Sequence, residues 1–266
     1  MPSLVVQKHT ELFKYRSLTN SEIEQYHDEG YLRIGQVLTD RGLEDLKKEV
    51  MAAWESEKGP FNSDANWLKN SLLPNIHHQS DLVRKYYFNG PLVEVAQQVI
   101  SPNIKSVTSQ LTFKMRGNTM PFGWHQDNGY GELEPYTTIS SLTAFDDTDQ
   151  DNGCLRIIPG SHKAGQIAVD RSPEDRKANK EVVVEADDTK SIPLYMRAGE
   201  AVIFHCWMLH KSEGNHSKTR DRRILFQRYA NADAVEVYNN RQPRLGRLLR
   251  GTTKFPEVEA FEADLL

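Results

Sequence analysis

Three side chains that can bind a divalent metal ion stand out in this chain. His125 and Asp127 are two positions apart, and His210 lies far downstream. Two imidazoles and one carboxylate can occupy one face of a six-coordinate Fe(II) and leave the opposite positions open for reactants. Alternate residues of an extended strand point to the same side, so a strand that ends before the turn residues Asn128–Gly131 would present His125 and Asp127 together. The pattern predicts a catalytic iron site.

A bare His-x-Asp pair is a weak signal, and the downstream segments make it specific. The segments Trp124–Asp127, Asn152–His162 and His210–Ser217 occur in one order along the chain. In that order and at nearly those separations they resemble the phytanoyl-CoA dioxygenase family of Fe(II)- and 2-oxoglutarate-dependent oxygenases. The resemblance covers most of the chain, from about Leu18 to about Tyr229.

The resemblance implies that His125, Asp127 and His210 bind Fe(II), and that an arginine after the second histidine holds the far carboxylate of 2-oxoglutarate. The family's usual spacing falls between Arg220 and Arg222 here. Counting back from Tyr229, which resembles the aromatic residue that ends the family's strand, selects Arg222, and strand alternation then turns Arg223 the other way. Arg223 stays open as the alternative. An arginine suits the role because its planar fork makes two parallel bonds to a carboxylate.

The segment Gln110–Lys114 carries a second polar pattern. Strand alternation places Gln110, Thr112 and Lys114 on one face, and buried polar groups require partners. We therefore expect this face to line the cavity for cosubstrate and substrate; an edge strand with its polar face in water is the alternative. By resemblance, Ser212 supports the 2-oxoglutarate carboxylate near Arg222.

The implied reaction consumes O2 and 2-oxoglutarate, releases succinate and CO2, and hydroxylates an unactivated C–H bond of a small soluble metabolite. Asp127 favours hydroxylation, since related halogenases have Ala or Gly at that position; desaturation stays open. Tyr130 and Asn128, just after the ligand pair, are the candidate substrate contacts. A polar or anionic substrate is a hypothesis that rests on Lys114, on His77 and on the arginine-rich run 241–250.

Two other functions use the same residues. A Zn(II) hydrolase could hold its metal through the two histidines and the aspartate, but it leaves Arg222 without a role. A non-catalytic family member could bind 2-oxoglutarate or metal only, but the intact ligand set argues against it. Each shares the metal site, so the arginine and the reaction products discriminate between them.

Composition limits the partners. The 266 residues carry a net charge of −4 with pI about 6.2, which gives no support for binding nucleic acid or an anionic membrane. Met1–Phe13 has no apolar core of signal-peptide length, and two cysteines do not make a disulfide framework. We expect a cytoplasmic enzyme with a small-molecule substrate; the oligomeric state stays open.

The elements that must position these residues change character along the chain. Ser21 and Glu24 form a capping-box pattern, Thr39–Glu57 has apolar residues at helical spacing, and Gly90–Ile100 is also predicted to be helical. From Ile104 onward the pattern indicates short strands between Gly, Pro and Asp turns. They are predicted at 107–115, 136–145, 154–158, 182–184, 191–194, 201–205 and 223–229. The polar stretch 164–191 is an expected exposed insertion and a candidate lid.

These elements predict a single domain over residues 1–266. The fold class is mainly β with flanking α-helices, as a double-stranded β-helix of the jelly-roll, cupin-like type. The helical N-terminal third would pack on the jelly-roll core, and the roll would bring the two halves of the metal motif together.

Overall fold

The computed structural model describes residues 8–59, 71–169, 172, 174 and 181–265. Helices flank a chain that is mainly β, and most of the strands lie beyond residue 103. The helices are α1 (Asn20–Glu29), α2 (Asp40–Lys58), α3 (Asp81–Asn89), α4 (Pro91–Val99) and α5 (Pro256–Ala260). The strands are β1 (Tyr31–Gln36), β2 (Leu72–Pro74), β3 (Ile104–Lys114), β4 (Phe122–His125), β5 (Leu133–Glu134), β6 (Ile139–Ala144), β7 (Leu155–Ile157), β8 (Ile192–Leu194), β9 (Glu200–His205), β10 (His210–Ser212), β11 (Arg222–Asn231), β12 (Val235–Glu236), β13 (Gln242–Pro243) and β14 (Leu248–Arg250).

The strands form a large antiparallel sheet, which we call the major sheet, and two smaller ones. The major sheet has the order β1-β9-β6-β11-β3-β14, with β2 also paired to β3. A four-stranded sheet, the minor sheet, has the order β4-β10-β7-β8, and β13-β12-β5 form a third. All of these pairings are antiparallel, and none of the sheets closes on itself.

Apolar side chains from the major and minor sheets share one core. Leu155, Ile157 and Leu194 of the minor sheet pack with Val202 and Phe204 of the major sheet. This face-to-face packing is typical of two-sheet β folds, in which inward residues of both sheets interdigitate. The strands on either side of this core carry the residues of the candidate site.

The helices cover the opposite face of the major sheet. Leu46, Val50 and Trp54 of α2 lie in one core with Leu111 of β3 and Leu225 of β11. Helices α1, α2 and α3 start at side-chain caps: the Thr39 hydroxyl accepts a bond from Gly42 N at 3.0 Å and begins α2, as predicted. The first third of the chain thus supports the major sheet from behind.

Several boundaries differ from the sequence-based expectation. The capping box of α1 is formed by Thr19 and Glu22, two residues before the predicted pair, because the helix begins at Asn20. Helix α3 is an additional element, and its Tyr-Tyr-Phe run is typical of strands. Residues 182–184 are not a strand; Val182 is buried and Val184 N donates a single backbone bond to Trp124 O at 2.8 Å. The insertion 164–191 falls partly outside the described residues.

Within the described part of the chain, no helix has both the length and the apolar character needed to cross a membrane. Cys154 and Cys206 are buried free thiols, as expected for small side chains that pack within a sheeted core.

Candidate active site

His125, Asp127 and His210 converge on one point at the edge of the minor sheet. His125 ends β4 and lies directly opposite His210, the first residue of β10. The Asp127 Oδ1 atom is 3.9 Å from His125 Nε2 and 3.6 Å from His210 Nε2, and all three side chains are buried. One ligand atom from each residue lies within 4.8 Å of the others. Two imidazole nitrogens and a carboxylate oxygen at this separation suit a single divalent metal ion.

Hydrogen bonds fix which atoms face this point. The Nδ1 atoms of His125 and His210 lie 2.8 Å from Gly123 O and 2.9 Å from Met208 O, which leaves both Nε2 atoms for a metal. The Ser140 hydroxyl donates to Asp127 Oδ2, so Oδ1 is the carboxylate oxygen that faces the histidines. Partners that hold a ligand's second atom in this way orient it toward the metal.

The electrostatics also favour a metal. Burial, with the neighbouring His210, lowers the pKa of His125 to about 3, so its imidazole is neutral and able to bind metal at neutral pH. Burial alone would raise the pKa of Asp127, but electrostatic interactions with His210, Arg228 and His125, together with the Ser140 hydrogen bond, outweigh it and lower this pKa. The carboxylate is therefore ionised.

The two neighbouring ligands do not share one strand as the sequence pattern predicted. Strand β4 ends at His125, and Asp127 begins a 3-10 turn over Asp127–Tyr130. The turn is anchored by Asn128 N, which donates to Cys206 O at 3.2 Å. The two side chains still converge, because the chain turns inward just after the strand.

A cavity of about 510 Å³ lies between the two sheets and includes the three ligands. Its floor is a pair of neighbouring strands of the major sheet, β3 and β11. Four cross-strand pairs face the cavity: Lys114 with Arg222, Thr112 with Ile224, Gln110 with Phe226, and Thr108 with Arg228. Volumes of a few hundred Å³ are typical of small-ligand sites.

The structure separates the two arginines that the sequence left as alternatives. Arg222 faces the cavity and is 3 % exposed; its Nε donates to Gly153 O at 3.0 Å. Arg223 points to the other face of the sheet, where its Nε and Nη2 each lie 2.7 Å from the Asp146 carboxylate. Burial lowers the pKa of Arg222 to about 10, so it remains charged at neutral pH.

Lys114 lies beside Arg222 at the same end of the cavity. Its Nζ donates to the carbonyl oxygens of Ser212, at 3.1 Å, and of Glu213. Burial and the charge of Arg222 hold the pKa of Lys114 well below its usual value. An anion at this end would relieve the repulsion between the two cations.

Two small or polar residues from the other motif segments brace this end of the cavity. Asn215 is fully buried and its side-chain amide donates to Lys114 O at 3.0 Å and to Arg220 O at 2.8 Å. Gly153 has φ +78°, and a Cβ atom there would overlap the carbonyl oxygen of Glu213. Asn215 therefore fixes the backbone of Lys114, and the absence of a side chain at Gly153 lets its carbonyl oxygen lie against the Arg222 side chain.

Most of the predicted site residues lie together. Gln110, Thr112, Lys114, Ser212 and Tyr130 all line the cavity. The Tyr130 hydroxyl accepts a bond from Val182 N at 3.0 Å, so this part of the insertion lies against the site. Asn128 is 1 % exposed, and its Oδ1 accepts a bond from Arg228, so it lies behind the cavity wall.

Several cavity or site residues were not predicted from the sequence, among them Ser140, Arg228 and Glu181. Arg228 could have been found, because alternation along a strand that starts at Arg222 puts it on the same face. His77, on which the anionic-substrate hypothesis rested in part, lines a separate depression with His78 and Glu262; His78 Nε2 lies 2.7 Å from the Glu262 carboxylate.

Comparisons with known proteins agree with this geometry. A model of the family "Phytanoyl-CoA dioxygenase (PhyH)" matches residues 26–224. A probable alpha-ketoglutarate-dependent hypophosphite dioxygenase from Stutzerimonas stutzeri is 28% identical over 230 residues, covering 79% of this chain and 78% of that protein. A methylphosphonate hydroxylase from Gimesia maris is 23% identical over 233 residues, covering 84% of this chain and 85% of that protein.

Solved structures share the fold. The crystal structure of EctD from S. alaskensis with 2-oxoglutarate and 5-hydroxyectoine has a TM-score of 0.69 and 18% identity, and it covers 95% of this chain and 93% of that one. A non-heme monooxygenase, ThoJ, has a TM-score of 0.70 and 20% identity, covering 90% of this chain and 85% of that one.

The His-Asp-His site on facing antiparallel sheets, with these relatives, defines an Fe(II)- and 2-oxoglutarate-dependent dioxygenase. Within that class, the chain belongs to the phytanoyl-CoA dioxygenase family.

Proposed function

We propose that this enzyme hydroxylates an unactivated C–H bond of a small polar metabolite. The overall change converts the substrate, O2 and 2-oxoglutarate into the hydroxylated product, succinate and CO2. The observation that carries the proposal is the position of Arg222 in the same cavity as His125, Asp127 and His210. A metal hydrolase does not need a buried cation at this place, whereas a dicarboxylate cosubstrate needs a partner for the carboxylate that does not bind the metal.

The three ligands would hold Fe(II) through His125 Nε2, His210 Nε2 and Asp127 Oδ1. Bound iron supplies the means to activate O2 with the electrons of 2-oxoglutarate. The protein keeps the ligands oriented through the backbone bonds of both imidazoles and through Ser140. Asp127 fills the position that would otherwise be open to a halide, so hydroxylation is the favoured outcome.

The carboxylate of 2-oxoglutarate that lies away from the metal would pair with the guanidinium group of Arg222. Gly153 O accepts a bond from Arg222 Nε, which orients the terminal nitrogens into the cavity. Ser212 and Lys114 lie at this end, and we assign them to the same carboxylate. Thr112 and Gln110 are the next cavity-facing residues of β3 and would contact the rest of the cosubstrate.

We infer that Tyr130 contacts the substrate and that Asn128 acts from behind the cavity wall. The names of two relatives support a small, polar substrate, since they specify hypophosphite and methylphosphonate. The cavity, at about 510 Å³, has room for such a molecule beside 2-oxoglutarate.

We also propose the type of β fold, the domain organisation and the cellular compartment. The two sheets correspond to a double-stranded β-helix of the jelly-roll, cupin-like type, and residues 1–266 form one domain whose helical first third packs on it. The core shared by α2, β3 and β11 supports the single domain. Two free cysteines suit the cytoplasm, where ferrous iron also persists.

The first experiment measures succinate formed from 2-oxoglutarate when the anaerobically loaded Fe(II) protein is exposed to air. We expect slow turnover without substrate in the wild type, none in His125→Ala, and in Arg222→Gln a 2-oxoglutarate requirement raised by about tenfold or more, since bonds to a charged group are lost. Arg220→Gln is the matched control, because this half-buried arginine pairs with Asp149 and does not line the cavity.

The result that would overturn the proposal is the absence of both succinate and a visible charge-transfer band when 2-oxoglutarate is added to the Fe(II) protein. An equal rise in the 2-oxoglutarate requirement of Arg220→Gln and Arg222→Gln would remove the role of Arg222 in particular, because net charge alone would then account for the effect.

A further inference from the structure

The cavity has a second buried cation, which the proposed binding of 2-oxoglutarate does not use. Arg228 lies six residues beyond Arg222 on the same face of β11, and both line the cavity. At about 3.3 Å per residue their Cα atoms are about 20 Å apart along the strand. A five-carbon dicarboxylate is far shorter than that distance. Arg222 and Arg228 therefore lie at opposite ends of the cavity floor.

Arg228 is buried with most of its hydrogen-bonding capacity unused. The side chain is 7 % exposed, and the only hydrogen bond that the described residues provide for it runs from Nη2 to Asn128 Oδ1, at 3.1 Å. Its Nε is buried without a partner among those residues, and so is the neighbouring Asn128 Nδ2. Buried donors without acceptors are costly, so this end of the cavity is suited to an acceptor-rich group.

Of the cations around the cavity, Lys211 is paired with carboxylates, and among the described residues neither Arg222 nor Arg228 is paired with one. Lys211 pairs with Asp188 at 2.7 Å and Glu213 at 2.6 Å, and Arg222 donates to Gly153 O. In the part of the chain that the structure describes, no carboxylate oxygen lies within 4.0 Å of an Arg228 nitrogen. The charge of Arg228 therefore lacks a direct counter-ion within that part of the protein.

The backbone beneath Arg228 is shaped for this purpose. The pairing of β11 with β3 shifts between Arg228 and Tyr229, which leaves Val107 as the extra residue of a β-bulge. The buried Tyr87 hydroxyl fills the gap: it donates to Arg228 O and accepts from Val107 N, each at 2.8 Å. Bulges re-aim side chains near active sites, and this one is braced by a helix.

We propose that Arg228, oriented by Asn128, binds an oxyanion of the substrate, such as a carboxylate, phosphonate or phosphate. The proposal rests on the proposed function, since it concerns a cavity residue to which the proposed binding of 2-oxoglutarate gives no role. Asn128 comes directly after the metal ligand Asp127, so an anion held here would lie beside the metal on the side away from Arg222. A fixed anion would then select which C–H bond of the substrate faces the metal.

A rival explanation is that Arg228 is a counter-charge for Asp127. Its charge does help to lower the pKa of that carboxyl, although the two groups make no direct ion pair. In that case, removal of the charge would disturb the metal ligand itself. The two explanations therefore differ in whether the complex with Fe(II) and 2-oxoglutarate still forms when the charge of Arg228 is removed.

The test uses the full chain loaded with Ni(II) and 2-oxoglutarate, which bind without turnover. Calorimetric titrations compare acetate, methylphosphonate and inorganic phosphate with neutral acetamide. We expect saturable binding of at least one anion, with a dissociation constant raised about tenfold or more in Arg228→Gln and raised less in Arg228→Lys. Arg156→Gln is the control, because this half-buried arginine bonds to Ser191 away from the cavity.

A second measurement distinguishes a failure of the proposed function from a failure of the proposal for Arg228. The Fe(II) and 2-oxoglutarate charge-transfer band should persist in Arg228→Gln. Its absence in the wild type would overturn the proposed function, and its loss in Arg228→Gln alone would make Arg228 a positioning residue for Asp127. If no anion binds the wild type, or if Arg228→Gln binds anions as well as Arg156→Gln does, substrate recognition by Arg228 is refuted.

Discussion

Ser140 offers a sharp test of how the metal ligands are held, because the chain provides its own control. Ser140 and Ser141 are adjacent on β6 and fully buried. The Ser140 hydroxyl donates to Asp127 Oδ2, whereas that of Ser141 points to the other face and donates to Gln227 O at 3.0 Å. Ser140→Ala and Ser141→Ala remove the same atom from neighbouring sites, and only the first touches the metal ligand.

The expected effect depends on the charge of the acceptor. A partner that orients a metal ligand is worth about ten- to a hundredfold in metal affinity, or about 1.4–2.7 kcal/mol. That range agrees with the ~1.5–3 kcal/mol of a hydrogen bond to a charged group. Ser140→Ala should weaken metal binding by this factor and raise the pKa of Asp127, since the bond contributes to lowering it. Ser141→Ala loses a neutral bond, about 1 kcal/mol of folding stability, and should keep its metal affinity.

The assay is a titration of the metal-free chain with Co(II), monitored by its visible absorption, beside urea unfolding of both variants. The reasoning is refuted if Ser140→Ala binds Co(II) as tightly as the wild type, or if Ser141→Ala loses as much affinity. A loss in both variants would mean that packing of β6, and not the bond to the carboxylate, holds Asp127.

Other contacts lead to three further predictions. Gly153→Ala should cost ~1–3 kcal/mol by urea unfolding, because φ is +78° and the new Cβ meets Glu213 O, and it should raise the 2-oxoglutarate requirement in the succinate assay. Asp146→Asn removes the carboxylate charge that pairs with Arg223 and Lys47 and should destabilise the fold by about 3 kcal/mol in thermal unfolding, with an unchanged 2-oxoglutarate requirement. Burial lowers the pKa of His77 to about 4 from 6.5, so the unfolded chain binds the extra proton between these values. As the pH falls through this window, His77 should therefore lower the free energy of unfolding by about 1.4 kcal/mol per pH unit. Urea unfolding at pH 7 and pH 5 should show this loss in the wild type and not in His77→Gln.

Strand alternation was the most useful part of the sequence reasoning. It placed Gln110, Thr112 and Lys114 on one face and turned Arg222 and Arg223 to opposite faces, and the structure has both arrangements. Alternation succeeds here because β3 and β11 are long central strands with one face in a core, so their register is strongly specified.

Short and turning segments could not be predicted in the same way. Strand β10 has three residues, too few for a period to show, although it carries His210. Asp127 lies in a 3-10 turn whose position depends on a backbone bond to Cys206, distant in sequence. Helix α3 contains strand-forming aromatic residues, but Tyr86 is held by tertiary contacts, with its hydroxyl 2.8 Å from Thr143 Oγ1. In each case a long-range contact outweighs the local preference.

The same contacts explain why the site depends on register more than on composition. His125 and His210 face each other across β4 and β10, and a one-residue slip of β10 would turn His210 away while leaving the short strand pair hydrogen-bonded. Met208 O holds the His210 ring from the residue two before it, and Leu209 O accepts from Ile158 N at 3.1 Å, so the entry to β10 is fixed on both sides. A change that loosens this entry should therefore abolish metal binding well before it unfolds the protein.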